Sequence, residues 1–411
     1  MINFLQSKSK KNLLFGVKTR QLSRGTAVFK RLTGPRLFWY KERGNVMKIG
    51  LLGHGTIGIG TDRIVSDLPN MEVTKIMSLV DDPEMRGRWV SRIEDITEDP
   101  EIDTVVEVMG GVHPAFDFIA AAMKAGKNVV TANKAVVAAC YTELIALAKE
   151  NNVCFRCTAS VGGGIAWLLN LARAKRIDTI GEIGGIMNGT TNFIMNAMNN
   201  EGADFEETLK KAQEIGFAER DPSADIDGPD IRRKICISAN VAYDAVIDET
   251  EIPCFGIRYV TDADIENASQ IDKVIKLVAK AVRTENGVAA YVEPVMLPNT
   301  DLLSDVPSNH NLIYFEAKNG GRQSFIGEGA GRFPTAYNVV QDLQDITEGQ
   351  TAFYTDGFTP MHVDNSTEIH DYYVRKGETI EILKQVSVAE MHRLAEDIYK
   401  ECPNAFIAGI L

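Results

Sequence analysis

The feature that most constrains this chain is Gly53-His-Gly-Thr-Ile-Gly58. It lies between a short apolar run, Val46 to Leu52, and a helix-compatible stretch that reaches about Leu68. The order is strand, glycine turn, helix, and each glycine has a physical task. Gly53 permits the tight turn, Gly55 lets backbone approach a pyrophosphate, and Gly58 lets the helix sit close on the strand. The helix N-terminus favours the negative charge. GxGxxG alone can be a plain glycine turn. Flanked on both sides in this way, it predicts a dinucleotide cradle made by Gly53, Gly55, Thr56, Ile57 and Gly58.

The pattern continues. A second apolar run, Val73 to Val80, ends in Asp81-Asp82. An acid at that strand end binds the ribose hydroxyls of NAD and repels the extra phosphate of NADP. Arg86 and Arg88 follow closely and would do the opposite; the balance leans slightly to NAD. A buried strand over Asp103 to Met109, a helix from Pro114 to about Ala125, and a strand from Asn128 ending in Asn133 and Lys134 come next. Alternating strands and helices over residues 47–160 predict an α/β fold with a doubly wound parallel sheet of Rossmann type. Ligands bind beyond the carboxyl ends of such strands, where Asn133 and Lys134 stand. Taken alone, a lysine there is as often a solvated loop charge as a catalyst.

Charge and cysteine usage exclude several classes. The 411 residues carry a formal net charge of -12, yet residues 1–46 hold eleven Lys and Arg against Glu42. The remainder therefore stands at about -22, which argues against nucleic acid or an anionic membrane as partner. No apolar run is long enough to span a bilayer. Six sparse cysteines suit a reducing cytosol. Cys154 and Cys157 form a CxxC without the second pair that zinc needs. They read as packed small hydrophobes on opposite faces of a strand. The basic segment 1–46 reads either as an Arg-rich targeting peptide or as a misassigned start ahead of Met47. The second reading is favoured, because Lys41-Glu42-Arg43-Gly44 is encodable almost wholly by purines, as a bacterial ribosome-binding site is.

Beyond residue 160 the chemistry becomes denser. Ile186-Met-Asn-Gly-Thr-Thr-Asn-Phe193 offers backbone and hydroxyl hydrogen bonds to a small polar ligand, with Gly189 and Thr190 at its centre. The same residues could simply cap a helix. Gly216 to Lys234 contains Glu219, Asp221, Asp225, Asp227 and Asp230 in a Pro- and Gly-rich loop before an apolar helix. A solvated loop is the usual fate of such charge. Against it, carboxylates suit an ammonium-bearing substrate, and Lys234 four residues after Asp230 puts acid and base on one helical face.

Together these pieces resemble the homoserine dehydrogenase family over Met47 to about Ile346. The matching stretches are GLLGHGTIG, DTVVEVMGG, GKNVVTANKA, MNGTTNFI, GFAERDPSADIDGPDIRRK and, at residues 327–343, GEGAGRFPTAYNVVQDL. The resemblance implies hydride transfer between a nicotinamide cofactor and the homoserine/aspartate semialdehyde pair, in threonine, methionine and isoleucine biosynthesis. It implies Lys234 as catalytic lysine with Asp230 beside it, and Lys134 as a second lysine near the nicotinamide. Two close lysines are expected to lower each other's pKa. It implies Glu219 and Asp225 as carboxylates holding the substrate, and a homodimer or homotetramer. The expected organisation is a basic extension at 1–46, a dinucleotide-binding domain at 47–160, an α+β substrate and dimerisation domain at 161–325, a return segment at 326–350 and a C-terminal extension at 351–411.

Two departures stand out. The family's Glu in Glu-Ala-x-Val-x-Gly-Gly is Thr158 here, and its following Pro is Ala166. That Glu is the only charged ligand of the family's monovalent-cation site. The other ligands are carbonyls, here those of Val161, Gly163 and Ile165. Losing the carboxylate argues against a bound metal, because ligand charge sets the affinity of a hard cation. Asp371 to Arg375 resembles the lead into a regulatory domain, but only 36 residues follow it, which predicts a remnant with one amphipathic helix over Val386 to Tyr399 and no feedback inhibition through that domain. Two other readings remain: a reductase of another amino-acid semialdehyde, and an inactive nucleotide-binding paralogue. The paralogue should have lost Lys134, Asp230 or Lys234, and all three are present.

Overall fold

The computed structural model describes residues 46–285, 287–350 and 357–411; residues 1–45, on which the misassigned-start reading falls, lie outside the described residues. Strand β1 (Met47–Leu52) and helix α1 (Thr56–Ser66) flank the glycine turn. They are followed by β2 (Met71–Met77), β3 (Trp89–Val90), α2 (Glu94–Thr97), β4 (Thr104–Glu107), α3 (Ala115–Lys124), β5 (Asn128–Thr131), α4 (Lys134–Ala139), α5 (Tyr141–Glu150) and β6 (Phe155–Arg156). All six strands pair in parallel in the order β3-β2-β1-β4-β5-β6. The strand order reverses between β1 and β4, and a doubly wound sheet opens its ligand crevice there. Gly53 has φ +98°, and a Cβ on Gly58 would stand 2.2 Å from the Gly53 carbonyl oxygen. The turn and the helix start touch, so neither position tolerates a side chain.

Two local expectations need correction. Strand β2 stops at Met77, because its partner β1 turns away at Gly53; Leu79 and Val80 are exposed, and Asp81 lies four residues past the strand end. The CxxC pair flanks a two-residue strand instead of lying within one.

A second, mixed sheet follows. In chain order come α6 (Trp167–Ala174), β7 (Ile180–Ile186), α7 (Gly189–Glu201), α8 (Phe205–Glu214), α9 (Ser223–Ile226), α10 (Pro229–Tyr243), β8 (Ala245–Val246), α11 (Asp262–Ser269), β9 (Lys273–Arg283), β10 (Val288–Pro298), β11 (His310–Ala317) and β12 (Gly321–Glu328). Then come α12 (Arg332–Thr347), β13 (Thr359–Pro360), β14 (Ile369–Lys376), β15 (Thr379–Ser387), α13 (Val388–Glu401) and β16 (Phe406–Ile410). Eight strands pair in the order β12-β11-β7-β9-β10-β16-β14-β15, and β8 and β13 form a separate pair. Helix α10 is buried on nearly every side from Lys234 onward, which accounts for its largely apolar composition there.

Helix α12 returns to the first sheet. Its Val339, Val340 and Leu343 share a core with Ile49, Leu51, Val106 and Val130. It meets α1 at Gly60, where a Cβ would stand 2.6 Å from the Arg332 carbonyl oxygen. The C-terminal residues exceed the expected lone helix. Strands β14, β15 and β16 surround α13 and join the second sheet where Val295 and Met296 of β10 pair with Gly409 and Ile410. Val388, Met391 and Ala395 of α13 pack with Phe255, Tyr291 and Tyr372, so the segment shares a core with the preceding strands.

Candidate active site

Helix α10 begins with Pro229 at its first position, a residue that loses nothing where the backbone N–H has no helical partner. One turn separates Asp230 from Lys234, and their side chains pair at 2.7 Å. Lys134, the first residue of α4, reaches the other oxygen of the same carboxylate at 2.9 Å. Lys234 Nζ also donates to the Met187 carbonyl at 2.7 Å. Asn188 completes the cluster. Its amide donates to Asp225 at 2.7 Å and Asp230 at 2.9 Å, and its oxygen accepts the Thr191 N–H at 2.8 Å. The cap of α7 is therefore Asn188; the Thr190–Asn192 run follows inside the helix.

Electrostatics follow from burial and charge. Burial alone would raise the Asp230 carboxyl, but the Lys234 and Lys134 ammoniums hold it well below the usual carboxylate range. Lys134 is raised, chiefly by the Asp230 charge beside it. The expected mutual depression of the two lysines is thus displaced at Lys134 by a carboxylate standing between them. Asp225 is pushed up, first by burial and then by the Asp230 charge.

The other sequence candidates fall differently. Glu219 is exposed and outside the cluster, and its carbonyl accepts from the Gln213 side-chain amide at 3.1 Å. Thr190 Oγ1 is committed to the Phe217 carbonyl at 2.6 Å. Gly189 opens α7, and a Cβ there would lie 2.6 Å from the Asn309 carbonyl oxygen. Asn133 is fully occupied. Its oxygen caps α4 at Ala135 and Val136, and its amide donates to Glu107 at 3.3 Å and the Gly111 carbonyl at 2.7 Å. It sets the position of Lys134 and of the Gly110-Gly111 loop. Sequence reasoning missed Glu107 and Asn188. Glu107 has no exposure and accepts from Thr131 Oγ1 at 2.6 Å and from the Met109 N–H at 2.8 Å. A lone acid at the end of an otherwise apolar strand was the signal for it. The residue before the helix that opens at Gly189 was the signal for Asn188.

The glycine turn fits a dinucleotide. Space beyond Gly55 is open, and the α1 N-terminus has no side-chain cap, so its N–H groups are available to an anion. Asp81 and Arg86 are exposed nearby in sequence. Arg88 is held by Asp62 at 2.7 and 2.8 Å.

The cation ligands do not fit. Thr158 supplies no carboxylate and gives its N–H to Asp342 at 3.0 Å. The carbonyls of Gly163 and Ile165 both accept from the Asn338 side-chain amide. Val161 is wholly buried. Burial pushes the thiols of Cys154 and Cys157 up, Cys154 to about 11.

The family model described as homoserine dehydrogenase, NAD binding domain, matches residues 53–157, and that described as homoserine dehydrogenase matches residues 167–344. The homoserine dehydrogenase of Bacillus subtilis is 35% identical over 356 residues, covering 83% of this chain and 82% of its own. That of Corynebacterium glutamicum is 38% identical over 324 residues, covering 74% and 72%. The crystal structure of a homoserine dehydrogenase from Thiobacillus denitrificans superposes with TM-score 0.78 at 27% identity, covering 89% of this chain and 98% of that one. A hyperthermophilic archaeal homoserine dehydrogenase mutant, solved in complex with NADPH, superposes with TM-score 0.64 at 25% identity, covering 74% and 98%. The chain belongs to the homoserine dehydrogenase family of nicotinamide-dependent oxidoreductases.

Proposed function

We propose that the chain interconverts L-homoserine and L-aspartate 4-semialdehyde, a step of amino-acid biosynthesis, at the cluster of Asp230, Lys234 and Lys134. The observation that carries this is one buried carboxylate shared by two lysines, one from each half of the molecule. The bound nicotinamide supplies or accepts the hydride. Gly53, Gly55, Thr56, Ile57 and Gly58 hold its pyrophosphate, and Asn133 fixes the strand end and Lys134 beside it.

Lys234 carries the proton. An ammonium has three donors; two are directed at Met187 and Asp230. The third is left for the substrate oxygen, where negative charge develops during reduction. In oxidation Lys234 in its neutral form takes the hydroxyl proton. Lys134, raised by Asp230, stays charged and stabilises the same oxygen. Asp225, half-buried, receives the substrate ammonium, with Glu219 at the rim. The N–H groups of Gly189 and Thr190 at the start of α7 take the carboxylate.

Asp81 sets the preference for NAD. Of the two nearby arginines, Arg88 is occupied by Asp62, which leaves Arg86 alone against Asp81. The mixed sheet ends in β12, whose residues are exposed or half-buried. An open edge of this kind supports a homodimer or homotetramer. The family's small-molecule substrate and the sparse cysteines, six in 411 residues, support a cytoplasmic setting. Among the described residues no helix is long and apolar enough to cross a membrane.

The deciding experiment is a cofactor-reduction assay with homoserine and either NAD or NADP. Homoserine-dependent reduction, faster per mole with NAD, is expected. Nucleotide binding without reduction of either cofactor would redirect the assignment to another amino-acid semialdehyde.

A further inference from the structure

Helix α12 sends a polar stripe inward at positions 338, 342 and 345, spaced i, i+4 and i+7 along one face. Asn338 and Asp342 are 3% and 1% exposed. Asp342 holds Arg156 Nε at 2.9 Å and the Thr158 N–H at 3.0 Å, and Asp345 pairs with the same Arg156. Asn338 faces the glycine loop that follows. Its Nδ2 donates to the carbonyls of Gly163 and of Ile165, the latter at 3.0 Å. Both neighbours are acceptors, so only the NH2 end of the amide suits this position, and both of its protons are used.

We propose that the Asn338 amide replaces a monovalent cation in this chain. It bridges the Gly163 and Ile165 carbonyls with two N–H donors and makes the order of the 161–165 loop independent of sodium and potassium. Three observations converge. The carbonyls are aimed at a common point. A neutral donor occupies that point. Thr158, which stands where a charged ligand would be required, is instead tied to Asp342. Cations are bound by oxygen ligands whose charge sets the affinity, whereas here the charge is missing and the central position is taken by nitrogen.

The bridge reaches the lysine cluster through ordinary hydrogen bonds. The Ile165 carbonyl also accepts the Trp167 N–H at 2.7 Å, at the start of α6. The Trp167 indole donates to Ser238 at 2.8 Å, and Ser238 donates to the Lys234 carbonyl at 2.7 Å. Asn338 is thus a positioning residue for α6, and through it for the helix that carries Lys234. It touches neither substrate nor cofactor.

The test measures the melting temperature of the purified full chain at constant ionic strength, with tetramethylammonium chloride replaced stepwise by sodium or potassium chloride. The wild type should shift by no more than about 1 °C and without saturation, the residual left by the salts' different exclusion from the protein surface. Asn338→Asp keeps the shape but turns the donor into a charged acceptor facing two carbonyls. Its Tm should fall by about 2 °C or more in tetramethylammonium and recover saturably with sodium or potassium. If Asn338→Asp is unfolded without those cations, folding on their addition supports the proposal equally. Thr158→Glu combined with Asn338→Ala should acquire the same saturable response. A saturable rise in the wild-type Tm overturns the proposal, as does an Asn338→Asp protein with wild-type Tm in every salt. No turnover is read, so this result stands apart from the assignment of the reaction.

Discussion

Two polar assemblies in this molecule are built around buried carboxylates, Asp342 and Asp230, and do different work. Around Arg156 the guanidinium is matched by Asp342, Asp345 and the Gln350 carbonyl, and Asp342 is matched again by Thr158. Asn338 has both amide protons on carbonyls. Around Asp230 the inventory is incomplete. Lys234 has a donor left over, Lys134 has more, and Asp225 has an oxygen beyond the one that Asn188 reaches. Burial and charge are common to both places, and capacity left for a ligand is found in one. A closed network stabilises, whereas an open one can recognise and react.

The largest effect that can break this contrast is on stability. Asp342→Ala leaves Arg156 as a buried charge without its central partner, and breaking such a pair costs about 3–5 kcal/mol. Urea unfolding should show that loss, while the folded fraction keeps its KM for homoserine. A fall in turnover with stability unchanged would place Arg156 in the chemistry and dissolve the distinction. Lys234→Ala is the converse. Turnover should fall by about 10²-fold or more, the scale of general acid catalysis, while nucleotide binding by fluorescence titration is retained. Near-wild-type turnover would remove Lys234 from proton transfer. The Asp230 carboxyl is held low by its lysines. Its contribution to stability is therefore present above the ordinary carboxylate range and lost only as pH falls well below it.

Local features were legible in the sequence, and long-range ones were not. The glycine turn reads directly because strand, turn and helix are neighbours along the chain. Asp230 and Lys234 read directly because four residues make one helical turn. Nothing in spacing brings Lys134 to Asp230, since that pair depends on how the two halves meet. The end of β2 was misplaced because hydrophobicity does not record where the partner strand turns away. The strands flanking α13 were missed because the polar–apolar alternation of Thr379 to Ser387 breaks at Leu383-Lys384-Gln385 and the strand is largely exposed. Asn338 lies within the matching stretch 327–343 but carried no charge to mark it there. Glu219 and Asp225 look alike in sequence, six positions apart in one acidic loop; folding exposes the first and half-buries the second.

That last pair offers the finest probe of the contrast, because one position should trade stability for recognition. Asp225 is raised by burial and by the Asp230 charge, so its ionised form is disfavoured in the folded state. As pH rises through the ordinary carboxylate range, the unfolded chain loses this proton before the folded one does. Stability falls across that interval and stays lower at neutral pH. Asp225→Asn removes the disfavoured charge and keeps an oxygen within reach of the Asn188 amide. The variant should melt higher than wild type near pH 7, and the two should converge below the carboxylate range. Its KM for homoserine should rise by about 10-fold or more, the scale of one lost charge-assisted hydrogen bond. Glu219→Gln, exposed, should change KM less and leave Tm unmoved. A higher Tm with unchanged KM would make Asp225 one more closed fixture of the kind found around Arg156. A lower Tm would mean that its charge is already balanced by the lysines, and the open network would then end at Asp230.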